Sequence, residues 1–150
     1  MIKQIEWKEI EYVWRNYLWP ERITPIETNS AMCFLQGHDM DNMKTRASFF
    51  GYFTEGQLVG VNSGHACPRS NSYRSRGLWV HPGFRRRGIA QELLNATINQ
   101  AWQEQANMIW SYHRKNSWNS YHSVGFQLAS DWLPSETSDL NAFCYLNRNL

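Results

Sequence analysis

The stretch Leu78-Trp79-Val80-His81-Pro82-Gly83-Phe84-Arg85-Arg86-Arg87-Gly88-Ile89-Ala90-Gln91-Glu92-Leu93-Leu94 decides how this chain is read. Apolar residues end a strand, His81-Pro82-Gly83 turns the chain, and Gly88 opens an amphipathic helix directly behind three arginines. The first N–H groups of a helix have no partner inside it and carry partial positive charge, so they hold anions. Gly88 has no Cβ to keep a phosphate away, Ala90 is the next smallest choice, and Arg85, Arg86 and Arg87 add full charges beside them. The combination reads as a pyrophosphate cradle. Three arginines alone would read as a solvated surface turn; the strand, turn, glycine and helix together favour the anion site. A Walker loop is excluded because Ile89-Ala90, not Lys-Ser/Thr, follows the last glycine. A dinucleotide fingerprint is excluded because its three spaced glycines and later acid are missing.

Working outward, Gly88 to about Gln105 is the clearest helix, with Ile89, Leu93, Leu94, Ile98, Ala101 and Trp102 on one stripe. Asn107–Tyr112 is a short apolar strand, and a right-handed crossover places it parallel to a strand at Arg76–Val80. Upstream of that strand, Pro68–Ser75 reads as a polar loop. Ala47–Thr54 and Gln57–Ala66 read as a hairpin turning at Glu55-Gly56. Ile2–Glu6 reads as a short strand, and Lys8–Trp19 as a helix stopped at Pro20. The segment 21–46 has no clear pattern beyond a short helix near Ser30–Gln36. A small helix at Ser117–Ser123 ends at Gly125, and Phe126–Ala129 with Ala142–Leu146 make the last pair of strands. The expected class is α+β, a mixed central sheet of about six or seven strands flanked by helices, in one domain over residues 1–150.

Composition narrows the function classes. At 150 residues, 42% hydrophobic and 19% charged, the chain suits an ordinary folded domain. No apolar run approaches the ~18 residues of a membrane span, and Met1–Trp7 lacks the apolar core of a signal peptide. Cys33, Cys67 and Cys144 are too far apart for a CxxC metal site and odd in number, so no metal is expected and a cytoplasmic location is. Charge is concentrated in the middle: residues 58–124 hold eight basic and two acidic groups, while residues 1–57 hold six and eight. A positive island in a mildly acidic chain expects an anionic partner.

Arg85-Arg86-Arg87-Gly88-Ile89-Ala90 resembles the Arg/Gln-x-x-Gly-x-Gly/Ala signature of the GNAT N-acetyltransferases, and Leu78–Pro82 resembles the strand before it. Downstream, Tyr121-His122-Ser123-Val124-Gly125-Phe126 is similar to the family's Tyr-x-x-x-Gly-Phe. The likeness is detailed over Arg76–Phe126. It implies the acyl-CoA N-acyltransferase fold, with acetyl-CoA as acyl donor and a small-molecule or peptide amine as acceptor. By the same likeness, Leu78, Trp79 and Val80 offer main-chain groups to pantetheine. Arg85, Arg86, Arg87, Gly88, Ile89, Ala90 and Gln91 hold the pyrophosphate, and Asn116 touches the cofactor. Tyr121 is the general acid for the departing thiolate; the plainer alternative is a core tyrosine.

The general base is left open. Some relatives carry a glutamate early in the central strand, where this chain has Arg74. His65 and His81 could each accept a proton near neutral pH. Trp14, Tyr17, Trp19, Glu21, Glu27, Asp39 and Asp41 would suit a cationic amine, or a solvated helix face. Two rival readings stand beside the enzyme. One is a catalytically weak acyl-CoA-binding module. The other, less favoured, is a nucleic-acid-binding domain using Arg69, Arg74, Arg76, Arg85–Arg87, Arg114 and Lys115. Aromatics in the terminal strands would suit a homodimer.

Overall fold

A computed structural model describes residues 1–20, 46–134 and 139–149. The elements run β1 (Ile2–Ile5), α1 (Trp7–Val13), β2 (Ser48–Thr54), β3 (Gln57–Cys67), β4 (Ser72–Val80), α2 (Ile89–Gln103), β5 (Met108–Arg114), α3 (Trp118–Ser123), β6 (Gln127–Leu128), β7 (Leu133–Pro134) and β8 (Leu140–Asn147). They form one mixed sheet of eight strands in the order β1-β2-β3-β4-β5-β8-β6, with β7 on β8. The count exceeds the six or seven expected because β6 and β7 are two-residue pairings, too short to leave a period in the sequence.

Helix α1 starts where Glu6 and Glu9 form a reciprocal capping box, and it runs on as a π-helical turn over Trp14–Leu18 before Pro20. Ile10, Val13 and Trp14 pack on Ile5, Phe49 and Val61 on one face of the sheet. Helix α2 covers the other face. It buries Ile89, Leu93, Leu94, Thr97, Ile98 and Ala101, while Trp102, expected on this stripe, is only partly covered. Thr97 is tolerated there because its hydroxyl donates to the Leu93 carbonyl at 2.9 Å. The short helix near Ser30–Gln36 falls outside the described residues.

The largest departure from the expected elements is at β4. Residues 72–75, whose polar pattern predicts a loop, are all four buried in the strand. Polar side chains there mislead the pattern: the Ser75 hydroxyl lies 3.0 Å from Asn62 Nδ2, and Arg74 lies 4.7 Å over the Trp110 ring. β4 and β5 are parallel, as expected, but they pair only from Ser72↔Met108 to Arg74↔Trp110. Pairing therefore falls before Arg76–Val80, not along it. β8 continues alongside β5 to Asn141↔Arg114, so beyond Arg74 the sheet opens between β4 and β5.

Candidate active site

The opening has three physical causes. On its far side, β4 stays paired to β3, but the register slips between Val61 and Ser63: Ser63 faces Arg76 while Val61 faces Trp79. Gly77 sits in this bulge at φ +79°. A Cβ there would come within 2.5 Å of the Trp14 ring. At the vertex, where the ladder stops, side chains replace it. The Ser111 hydroxyl donates to the Ser75 carbonyl at 2.8 Å, and the Ser63 hydroxyl donates to the Arg76 carbonyl at 2.6 Å. Into the same point comes the Tyr121 hydroxyl, 3.1 Å from both Ser75 Oγ and Ser111 Oγ.

Above the bulge, β4 presents an edge. His81 N–H donates to the Val59 carbonyl at 2.7 Å, so by alternation the main chain of Trp79 also faces β3, while that of Leu78 and Val80 faces the gap. The Val80 carbonyl is already held by Arg85 Nε at 3.0 Å. Of the three residues expected to offer main-chain groups, Leu78 and Val80 have backbone on the gap side; the Trp79 ring is stacked on Tyr17 at 4.8 Å.

At the strand's end the turn Pro82–Phe84 leads into α2. Arg86 and Gly88 are both left-handed, at φ +63° and +78°. Gly88 caps α2, and the first helical bond runs from Glu92 N–H to the Gly88 carbonyl, so the N–H groups of Ile89, Ala90 and Gln91 precede any α-helical partner. Arg85, Arg86, Arg87, Gly88 and Gln91 are exposed, and Arg87 lies over the Phe84 ring. A cradle of amides, charges and a bare Cα is therefore present at one end of the open edge. A pyrophosphate fits it: a Cβ on Gly88 would meet only Gln91 Oε1 at 3.7 Å, so the space beside the backbone is clear.

Tyr121 stands at the other end of the gap. Its ring is buried against Phe126, and burial pushes the phenol up to about 12, with the Ser111 and Ser75 hydroxyls acting in the opposite direction. His113 on β5 is its neighbour, with ring centroids 5.1 Å apart, and is enclosed further by Trp118 and Trp132. Burial lowers His113 to about 4, so it stays neutral near pH 7.

The other expected site residues scatter. His65 is wholly buried on β3, with its Nδ1 3.2 Å from the Ala66 carbonyl. Alternation from Gly64, whose Cα faces Tyr73 and Thr97, puts the His65 ring on the sheet face away from α2 and Tyr121. His81 accepts the Gly83 N–H on Nδ1 at 3.0 Å, so taking up a proton there would cost the cap of the turn. Asn116 is exposed in the turn Lys115–Ser117, with the Ser117 hydroxyl 3.4 Å from its Oδ1. Trp14, weighed for the acceptor, is core beneath Gly77, while Glu21, Glu27, Asp39 and Asp41 lie outside the described residues. Arg74 and Arg76 pack on Trp110, Trp14 and Trp19. Asn62, Ser75, Gly77, Thr97 and Ser111 were not foreseen. Their only trace in the sequence is small or polar residues breaking apolar strands and a helix stripe.

Comparison with known proteins agrees with this fold. The acetyltransferase (GNAT) family profile matches residues 4–126, and the chain belongs to that family of N-acetyltransferases, whose acyl donor is acetyl-CoA. Solved structures share the fold at low identity. A ribosomal-protein-alanine N-acetyltransferase from Brucella melitensis superposes with TM-score 0.67 at 15% identity, covering 99% of each chain. A GNAT-family acetyltransferase from Staphylococcus aureus gives 0.65 at 18% identity, over 98% of this chain and 99% of that one. A protein assigned as an acetyltransferase from Salmonella typhimurium, solved with its cofactor acetyl-CoA, gives 0.68 at 15% identity, over 98% and 92%. No curated protein sequence matches the chain.

Proposed function

We propose that residues 1–150 form one GNAT-type domain that transfers the acetyl group of acetyl-CoA to a primary amine, small molecule or peptide, by direct attack of the amine on the thioester. The observation that carries this reading is the gap between β4 and β5 beyond Arg74↔Trp110, with the Gly88 cradle at one end and the Tyr121 hydroxyl at the other.

Acetyl-CoA supplies the activated acyl group. The N–H groups of Ile89, Ala90 and Gln91, with Arg85, Arg86 and Arg87, hold its pyrophosphate. Leu78 and Val80 present main-chain groups to the pantetheine along the open edge of β4, and the Leu78 N–H is the natural donor to the carbonyl oxygen that gains charge as the amine adds. Tyr121 gives its hydroxyl proton to the departing sulfur and regains one from solvent. The amine loses its extra proton to water or to a histidine. Of the two candidates, His81 directly follows Val80 at the end of this edge, while the His65 ring lies on the other sheet face. Cys67 and Cys144 are buried thiols outside any disulfide, which suits a reducing cytoplasm.

Calorimetric titration with acetyl-CoA at physiological salt tests the reading. Saturable micromolar binding at one site per chain, followed by CoA release with at least one amine of a panel, is expected. Absence of binding would overturn it. Binding with no CoA release to any amine would favour the acyl-CoA-binding module instead.

A further inference from the structure

The Tyr121 hydroxyl is the end of a buried polar chain, and the direction of the protons from Thr97 through Asn62 to Ser75 follows from their partners. Thr97 Oγ1 donates to the Leu93 carbonyl, which can only accept. The Thr97 oxygen is left as an acceptor, so the Asn62 atom 2.9 Å away must be the amide nitrogen. The second N–H of that nitrogen reaches Ser75 Oγ at 3.0 Å. Ser75 Oγ therefore accepts from Asn62, and its own proton is directed to its other partner, the Tyr121 oxygen at 3.1 Å. On the far side, Ser111 Oγ faces two acceptors, the Ser75 carbonyl at 2.8 Å and the Tyr121 oxygen at 3.1 Å, and its one proton serves either. Tyr121 thus receives a hydrogen bond from Ser75, and its own proton is left for the departing sulfur.

Asn62, Ser75 and Thr97 are all buried, so their protons are ordered by these protein partners. The Asn62 carbonyl oxygen is buried with no hydrogen-bond partner among the described residues, a cost the fold carries to keep both N–H groups on the two hydroxyls. Asn62 stands in the bulge opposite Gly77, where the ladder has already slipped.

We infer that Thr97, Asn62 and Ser75 form a one-way hydrogen-bond chain that serves proton transfer from Tyr121: Ser75 donates to the phenol oxygen before the proton leaves and holds the phenolate after it has gone. The chain makes Ser75 and Asn62 positioning residues, acting through Tyr121, and the inference rests on Tyr121 being the proton donor to sulfur. As the proton moves, the Tyr121 O–H bond breaks, an S–H bond forms on the leaving group, and the electron pair left on the phenol oxygen is met by the Ser75 hydroxyl. Removing either residue leaves that charge less well met. Other groups act on Tyr121 as well: Arg74 from β4 favours the phenolate, Cys144 from β8 opposes it, and His113 from β5 lies against the ring as a neutral imidazole.

The test is kcat and KM for acetyl-CoA, read by CoA thiol release with the best acceptor among spermidine, tyramine, kanamycin and an unblocked peptide. Tyr121→Phe should lower kcat by about a hundredfold or more. Ser75→Ala should lower kcat about tenfold to a hundredfold, as for one hydrogen bond to a charged group, with KM for acetyl-CoA within twofold. Ser75→Thr should restore it. Asn62→Leu keeps nearly the same volume but removes both donors, so the Ser75 hydroxyl is no longer directed at Tyr121, and it should lose kcat by a similar factor. In Tyr121→Phe, adding Ser75→Ala should cost nothing more. A second readout needs no acceptor: trifluorotyrosine placed at 121 and titrated by fluorine NMR should have its midpoint raised by about one pH unit in Ser75→Ala. Wild-type kcat in Ser75→Ala or Asn62→Leu, additive loss in the double variant, or an unmoved midpoint overturns the chain while leaving Tyr121 in its role. Undiminished kcat in Tyr121→Phe overturns both.

Discussion

Gly77 and Gly88 have nearly the same backbone angle, φ +79° and +78°, and opposite surroundings, which makes the pair a controlled comparison. An alanine at either must adopt a left-handed conformation, at a cost of about 1–2 kcal/mol. At Gly88 that is the whole cost, since the new methyl would meet only Gln91 Oε1 at 3.7 Å. At Gly77 the methyl would lie 2.5 Å from Trp14 Cζ2, and Trp14 is 3% exposed, held among Ile5, Val13 and Phe49. A buried ring cannot swing clear, so overpacking adds about 1–3 kcal/mol. Gly77→Ala should therefore lose about 2–5 kcal/mol in total and Gly88→Ala about 1–2. With a urea dependence of about 1–3 kcal/mol per molar, the two midpoints should differ by roughly 1 M. Urea unfolding of both variants and the wild type, followed by tryptophan fluorescence, measures it. Equal midpoints, or a lower one for Gly88→Ala, would refute the claim that Trp14 holds the β4 bulge.

Two further outcomes are expected. Gly88→Glu puts a carboxylate where the phosphate approaches, on an exposed residue, so it should abolish acetyl-CoA binding by calorimetry while the circular dichroism stays native; unchanged affinity would remove the cradle assignment. His113 is near 4 when folded against about 6.5 when unfolded, so below pH 6.5 the unfolded chain takes up a proton that the folded protein does not. Stability should fall by up to about 3 kcal/mol between pH 6.5 and 4, and then level off. His113→Phe should lack that part of the acid sensitivity. Identical pH dependence of the two urea midpoints would show that His113 is not buried as described.

The sequence by itself determined the local features: the helix from Ile89, the hairpin of β2 and β3, the turn before that helix and the tyrosine five residues before the end of the matched segment. Each of these is written in nearby residues, through a period, a turn pair or a glycine at a helix start, so a short window suffices. What only the tertiary structure decided is where β4 begins and why it parts from β5. Ser72–Ser75 look like loop because strand patterning assumes that a buried position is apolar. Here Ser75 is satisfied by Asn62, 13 residues away, and Ser111 closes on the Ser75 carbonyl from 36 away. The same holds for Gly77, whose bareness answers to Trp14 on another element, and for Asn62 and Thr97, whose worth lies in a proton order that exists only once three strands and two helices meet. Long-range hydrogen bonds between polar residues leave no period along the chain, and in this protein they shape the gap that defines the site.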